Sequence, residues 1–220
     1  MHINTLLGMD SISTFIFERL MIIPGILIGL SFHEFGHAFV SDRLGDPTPR
    51  SQGRVSLNPA AHIDPLGLLM LFIIGFGWGR PVQIDPGYYK HKRRDEILVS
   101  LAGVVMNLLL AIVFMGVLRI VYQFAGEFVA GTLGSIIWQI LMGVVQINLV
   151  LMFFNLIPLP PLDGFGIITQ IFELDKKSWY HNFYRLGPML LMVIIIFNIT
   201  SLIITPGVVF MYTLLSSIFF

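Results

Sequence analysis

The sequence predicts an α-helical, polytopic membrane protein: about four full spans, short re-entrant or half-spanning segments, and a small membrane-associated β hairpin or edge strand, in a single domain over residues 1–220. Three observations predict it. Hydrophobic residues make up 55% of the chain and charged residues 12%, with mean hydropathy +0.83, whereas a soluble domain carries about 25% charge. Apolar stretches long enough to cross a bilayer recur along the chain. The polar stretches between them hold most of the Lys and Arg. The 13 Lys plus Arg balance the 13 Asp plus Glu, so no nucleic-acid footprint is present. There is no Cys, which excludes disulfides and thiolate ligands and leaves His, Asp and Glu to hold any metal.

Met1 to Ser13 is a short polar lead. No Lys or Arg precedes Arg19, which argues against a cleaved signal peptide. Phe15 to Val40 is the first span, with Pro24-Gly25 placed to kink it. It carries Ser31-Phe32-His33-Glu34-Phe35-Gly36-His37-Ala38. His33 and His37 are four residues apart, so on a helix they project from one face and can hold one metal ion from two corners. Glu34 is placed to take a proton from a water that such a metal polarises. On a helix His33 lies about 15 Å and His37 about 9 Å from Arg43, the first basic residue beyond the span. Two imidazoles and a carboxylate at that depth are costly unless they have partners. Chance supplies this pattern about 0.004 times in a chain of this His and Glu content. A hydrogen-bonded core histidine pair is the bland alternative.

Asp42 to Pro65 is polar and rich in Pro and Gly, and Gly53 to Pro59 reads as a short strand or hairpin. His62 and Asp64 follow, either as loop residues that fix a turn or as further metal ligands. Leu66 to Trp78 is apolar but short for a span and reads as re-entrant or partly buried. In Gly75-Phe76-Gly77-Trp78-Gly79-Arg80-Pro81-Val82 the alternating glycines permit close backbone approach, as in an edge strand that accepts an extended peptide; an ordinary Gly-rich turn fits equally well. Lys90 to Arg94 is strongly basic. Ile97 to Val121 is the second full span, with Gly103 and Asn107 as its small and polar contacts. Leu133 to Ile157 is the third, running into Asn155-Leu156-Ile157-Pro158-Leu159-Pro160-Pro161-Leu162-Asp163-Gly164. Three prolines in four positions break the helix at membrane depth, which points to a cavity. Asp163 is a candidate second site or, alternatively, the N-cap of a short helix from Gly164 to Phe172. Leu186 to Ile204 is the last clear span, Pro206-Gly207 turns the chain, and Val208 to Phe220 is apolar but short.

If Leu66 to Trp78 does not cross, Arg43, Arg50, Arg54, Arg80, Lys90, Lys92, Arg93, Arg94, Lys176, Lys177 and Arg185 share one side, with only Arg19 and Arg119 towards the other. The positive-inside rule makes the rich side cytoplasmic. His37 and Asp163 then reach similar depth from that side.

These residues resemble the site-2 protease family of intramembrane zinc metalloproteases, over most of the chain. His33-Glu34-Phe35-Gly36-His37 is similar to the family's first motif, and Asn155 to Gly164 to its second, an Asn, then prolines, then Leu-Asp-Gly. Ser100 to Asn107 resembles a third, with Val104 where the family usually has Pro, and Phe165 stands where a second Gly is common. Asn58 to Gly67 resembles a signature of the compact bacterial and archaeal members, which lack a PDZ domain. The resemblance implies one zinc per chain held by His33, His37 and Asp163, with Glu34 as the base. It implies that Asn155 orients substrate or water, and that Gly75 to Val82, including Gly77 and Gly79, forms the substrate-binding edge strand. It further implies hydrolysis of peptide bonds in or near transmembrane helices of protein substrates in a prokaryotic cell membrane, with no PDZ or regulatory domain; the basic-residue count places the active site towards the cytoplasm. Two rival readings stand beside it. A di-iron hydroxylase needs several His boxes, and His2, His62, His91 and His181 form none. A non-proteolytic metal-binding protein or transporter calls for several intramembrane acidic groups, and only Glu34 and Asp163 qualify.

Overall fold

The computed structural model describes residues 9–74 and 77–220. The chain folds as helices α1 (Met9–Arg43), α2 (Pro65–Ile74), α3 (Lys92–Phe124), α4 (Thr132–Asn155), α5 (Asp163–Phe172), α6 (Tyr180–Ile196) and α7 (Ile199–Phe219), with single helical turns at Thr48–Ser51 and Gly126–Ala130. Among the described residues four helical segments are long and apolar enough to cross a membrane: Arg19–Arg43, Lys92–Phe124, Thr132–Asn155 and Ile199–Phe219. The chain is thus a multi-pass membrane protein of the polytopic helical class. At about 1.5 Å per residue, the ten residues of α2 reach only half-way through a bilayer core.

Helices α1, α3 and α4 pack pairwise into the kernel of the fold. Its apolar centre is Val104, Ala111, Met115 and Leu118 of α3 against Val145, Leu149 and Met152 of α4, closed by Leu215 of α7. Helix α5 packs on α3, and a second cluster of Ile157, Leu159, Leu162, Leu191 and Ile204 anchors the proline loop to α6 and α7. Many large apolar side chains point outward, among them Val113, Ile120, Leu202 and Phe210. In a bilayer that exposure is solvation by lipid rather than a defect.

Two expectations are corrected. The span from Leu186 to Ile204 is not continuous: α6 ends at Ile196, Asn198 takes a left-handed conformation with φ 55°, and α7 runs through Pro206. Asn tolerates that conformation better than most residues. Gly207, which was expected to turn the chain, instead lets α7 press on Phe153, where a Cβ would lie 2.6 Å from the ring. Nor does the hairpin form among the described residues. Gly53 sits at φ 68°, the Asn58 side chain accepts the Ala60 N–H, and Pro59–Ala61 is a 3₁₀ turn. Side chains take the Asn58 and Ala60 N–H groups, and Pro59 has none, so a ladder lacks its donors here. The Gly77 to Val82 segment makes one isolated antiparallel bridge, Gly79 with Ile63. Gly77 packs directly on the Gly67 backbone of α2, so one role of the alternating glycines is contact with this chain's own helix.

The three basic polar segments bond to one another. Asp46 accepts the Asp85 N–H, Gln52 reaches Gln83, and Arg54 reaches the Pro81 carbonyl. Arg93 pairs with Glu173 and Asp175. They therefore occupy one end of the bundle.

Candidate metal centre and active-site cavities

Helix α1 presents His33 and His37 one turn apart towards Gly103 of α3. A Cβ at Gly103 would lie 2.5 Å from His33 Cε1 and 2.6 Å from His37 Nε2, so only glycine lets α3 pass behind the two rings. From the opposite side the proline loop delivers Asp163 as the first residue of α5. The N-cap position belongs to Leu162, and the Asp163 side chain makes no capping bond, which disposes of the cap alternative. The result is a tight triangle: His33 Nε2 to His37 Nε2 is 3.1 Å, and Asp163 Oδ2 lies 3.3 Å and 3.4 Å from the two nitrogens.

What surrounds the triangle fixes its chemistry. Asn107 is fully buried, and its amide donates to Gly29 O at 3.1 Å and to Asn148 Oδ1 at 2.9 Å. With both protons committed, Asn107 Oδ1 faces His33 Nδ1 at 2.8 Å, so His33 Nδ1 must donate. His37 Nδ1 faces the Val99 carbonyl at 2.7 Å and must donate too. In neutral imidazoles this leaves both Nε2 atoms as bare lone pairs, aimed at each other and at a carboxylate oxygen. Asp163 Oδ2 is buried and accepts no hydrogen bond, for the same reason. Three converging lone pairs repel unless a cation lies among them. A tetrahedral zinc with bonds of about 2.0–2.1 Å spaces its ligand atoms about 3.3–3.4 Å apart, which the triangle nearly matches. Two imidazoles oriented through Nδ1 and one carboxylate are a donor set that zinc accepts. Among the described residues this is the one cluster of His, Asp or Glu able to hold an ion.

Glu34 stands beside the triangle, outside the ligand set. Its Oε2 accepts the Val82 N–H at 2.9 Å, tying the carboxylate to the extended Gly77 to Val82 segment. Two cavities meet at Glu34 and His33. One, of about 400 Å³, is polar and runs past His37 and Asp163 to Glu96, Thr169 and Gln170. The other, of about 520 Å³, is apolar and runs between α1, α4 and the Gly77 to Pro81 segment, past Ile22, Ile26, Trp78 and Leu151. Asn155 lines both, with its amide donating to Leu151 O. Gly77 and Gly79 line the apolar cavity, and Gly75 lies outside the described residues.

His62 and Asp64 take no part in this cluster. His62 is buried with Nε2 on the Ser56 carbonyl, and Asp64 accepts the Gly67 N–H at the start of α2. Sequence reasoning missed Asn148, one of four side-chain amides in an otherwise apolar helix with Gln139, Gln146 and Asn155, and nothing in the pattern singles it out. It also missed a latch at the end of α1. Buried Asp46 accepts from Ser41 Oγ, the Asp85 N–H and the Thr48 N–H at 2.8–2.9 Å. Because Ser41 spends its proton on Asp46, Tyr89 donates to Ser41 Oγ at 2.7 Å. Burial pushes the Asp46 carboxyl up, but the hydrogen bonds from Thr48, Asp85 and Ser41 win and hold it below the ordinary carboxylate range. Burial, aided by the Asp46 charge and opposed by the Ser41 bond, pushes the Tyr89 phenol up to about 12.

The profile of Peptidase family M50 matches residues 21–197. A Bacillus subtilis protein named "Putative zinc metalloprotease YwhC" is 33% identical over 201 residues, 87% of this chain and 89% of that protein. "Putative zinc metalloprotease Rip2" of Mycobacterium tuberculosis is 34% identical over 154 residues, 67% of this chain and 56% of that protein. Rip2 of Mycolicibacterium smegmatis is 32% identical over 175 residues, 73% of this chain and 63% of that protein. No solved structure matches the chain.

Proposed function

The chain belongs to peptidase family M50, the site-2 protease family, and from that premise we propose that it is a zinc-dependent endopeptidase cutting protein substrates within or near their transmembrane helices. The observation that carries this reading is the triangle of His33, His37 and Asp163 lone pairs with Glu34 beside it, at the meeting point of a polar and an apolar cavity. In this reading the three side chains hold one zinc ion. Zinc, when bound, supplies a Lewis acid that acidifies water and polarises a carbonyl. The rest is the work of the chain. Glu34 accepts a proton from the attacking water and returns it to the leaving amine. Asn155, on both cavities, orients substrate or water. The apolar cavity admits a substrate helix from lipid, and the polar cavity supplies water. A substrate helix protects its own amides and must unwind to be cut. The extended Gly77 to Val82 segment offers backbone groups that replace the bonds it loses. The whole of 1–220 acts as one membrane-embedded catalytic unit.

The eleven basic residues of the three interlinked polar segments favour the cytoplasmic side for that end of the bundle, in a prokaryotic cell membrane. A reporter inserted among Lys90 to Arg94 should read cytoplasmic and one in Tyr122 to Thr132 should not; the same reading from both would overturn the orientation.

The decisive variant is Glu34→Gln, which keeps shape but accepts no proton. Zinc content should survive, and cleavage of a single-span substrate should fall by about 10²-fold or more. A transporter could retain metal flux in this variant. Near wild-type cleavage at equal zinc loading would refute Glu34 as the base.

A further inference from the structure

The polar cavity extends beyond what hydrolysis requires. Among the described residues four buried side-chain polar atoms lack a hydrogen-bond partner, and three of them belong to residues lining this cavity: Asp163 Oδ2, Thr169 Oγ1 and Glu96 Oε1. The first is accounted for by the metal centre. The other two mark a second polar locus at the far end.

Its composition is specific. Glu96 Oε2 accepts from Gln170 Nε2 at 2.5 Å, which orients the carboxylate and leaves Oε1 unpaired. Thr169, only 2% exposed, contributes a hydroxyl that makes no hydrogen bond of ordinary geometry, with the Tyr180 phenol beside it. The cavity walls carry no Lys or Arg among the described lining residues. The nearest guanidinium, Arg93, is engaged by Glu173, Asp175 and the Gln170 side-chain oxygen. Lys92 is solvent-exposed at the start of α3. Glu96 is the carboxyl group at the far end of the cavity; Lys92 and Arg93 act on it from outside, and among the described residues no cationic side chain faces it from the cavity walls.

We propose that Glu96 and Thr169 form a specificity subsite that takes a basic side chain, Lys or Arg, of the substrate. The inference rests on the protease reading above and adds which substrates it selects. Glu96 and Gly103 are seven residues apart on α3, about 10.5 Å, and Gly103 abuts the two histidines. An extended substrate covers that distance in about three residues. The basic residue therefore lies within about three positions of the scissile bond. Membrane helices carry such residues at their cytoplasmic ends, where a long stem buries and the charge reaches polar surroundings.

The test uses zinc-loaded wild-type enzyme in detergent and a series of single-span peptides. Each carries Lys, Gln or Glu at one of three positions on either side of the bond, with cleavage sites mapped by mass spectrometry. Wild type should cleave the Lys peptide about tenfold better in kcat/KM than its Gln counterpart at one position, the scale of a partly desolvated charge pair. Glu96→Gln should bring that ratio close to one, Glu96→Arg should favour Glu over Lys there, and Thr169→Val should lower the ratio in part. No Lys preference at any position in wild type overturns the subsite. So does a Glu96→Gln variant that slows Lys and Gln peptides equally, since that marks a role in water or proton handling. Failure of zinc-loaded wild type to cleave any peptide overturns the protease reading and the subsite with it.

Discussion

Replacing Asn107 with Leu removes the one side chain that dictates the His33 tautomer. The substitution keeps similar bulk in a site with no exposure. It leaves two buried groups without partners, His33 Nδ1–H and Asn148 Oδ1. Each orphaned group costs about 1–3 kcal/mol by soluble-protein experience, whereas side-chain bonds between membrane helices average about 0.6 kcal/mol. A total near 2 kcal/mol follows, which a bundle of this size tolerates. The effect on metal is larger in consequence. A His33 free to carry its proton on Nε2 no longer offers a lone pair to the site, and loss of such an orienting partner weakens metal affinity by about 10–100-fold. Zinc affinity measured by chelator competition should fall by that factor in Asn107→Leu while the helical spectrum persists. Asn148→Leu provides the control: it strands an Asn107 proton but leaves the His33 bond intact, so it should lower thermal stability without the same loss of zinc. The double variant should be less destabilised than the sum of the two, because their shared bond disappears whole. Zinc affinity within about twofold of wild type in folded Asn107→Leu would refute the tautomer argument.

Two further outcomes follow from the same geometry. Gly103→Ala should lose zinc and activity and lower thermal stability: its methyl would lie 2.5–2.6 Å from both rings, an overpacking cost of about 1–3 kcal/mol that outweighs the roughly 1 kcal/mol Ala gains in a helix, and unchanged zinc content would contradict the close approach. The Tyr89 phenol, pushed up to about 12, ionises in the unfolded chain near 10; its contribution to stability is therefore complete below about pH 10 and is lost as pH rises towards 12. Tyr89→Phe should flatten that alkaline limb of thermal stability, and identical limbs in the two proteins would contradict a neutral, buried Tyr89.

Much of this was legible in the chain. The His33/His37 pair declares itself because four residues is one helical turn, and Asp163 stands out as the acidic residue after a proline-broken span. The membrane class follows from composition, and three of the four spans follow from apolar length. The last span was misplaced because Pro206-Gly207 is a stronger local breaker than Asn198, and only packing on Phe153 shows that the pair continues a helix. The hairpin reading failed for a related reason. The Gly53 to Pro59 stretch has strand-like residues, but the Asn58 side chain takes the Ala60 N–H and Pro59 has no N–H to give, which a propensity count does not see. The Asn107–Asn148 pair spans two helices 41 residues apart in sequence, so no local pattern could link them.

The cost of placing these polar groups in an apolar bundle explains which of them are functional. A buried amide or imidazole is tolerable when each donor and acceptor is matched. Along the chain from Val144 O through Asn148, Asn107 and His33 Nδ1, every group is matched. Val99 O does the same for His37. The matching stops at three atoms, and those three face one another within 3.4 Å. A satisfied core histidine pair would end its network in a donor opposite an acceptor. Here, with both imidazoles neutral, the network ends in lone pairs opposite lone pairs, an arrangement that a positive charge among them, a metal ion or a proton on one Nε2, stabilises. The metal reading of the His33/His37 pair is the one this arrangement favours, because the surroundings hold the Nδ1 protons on the far side of the rings and leave Nε2 turned to the triangle.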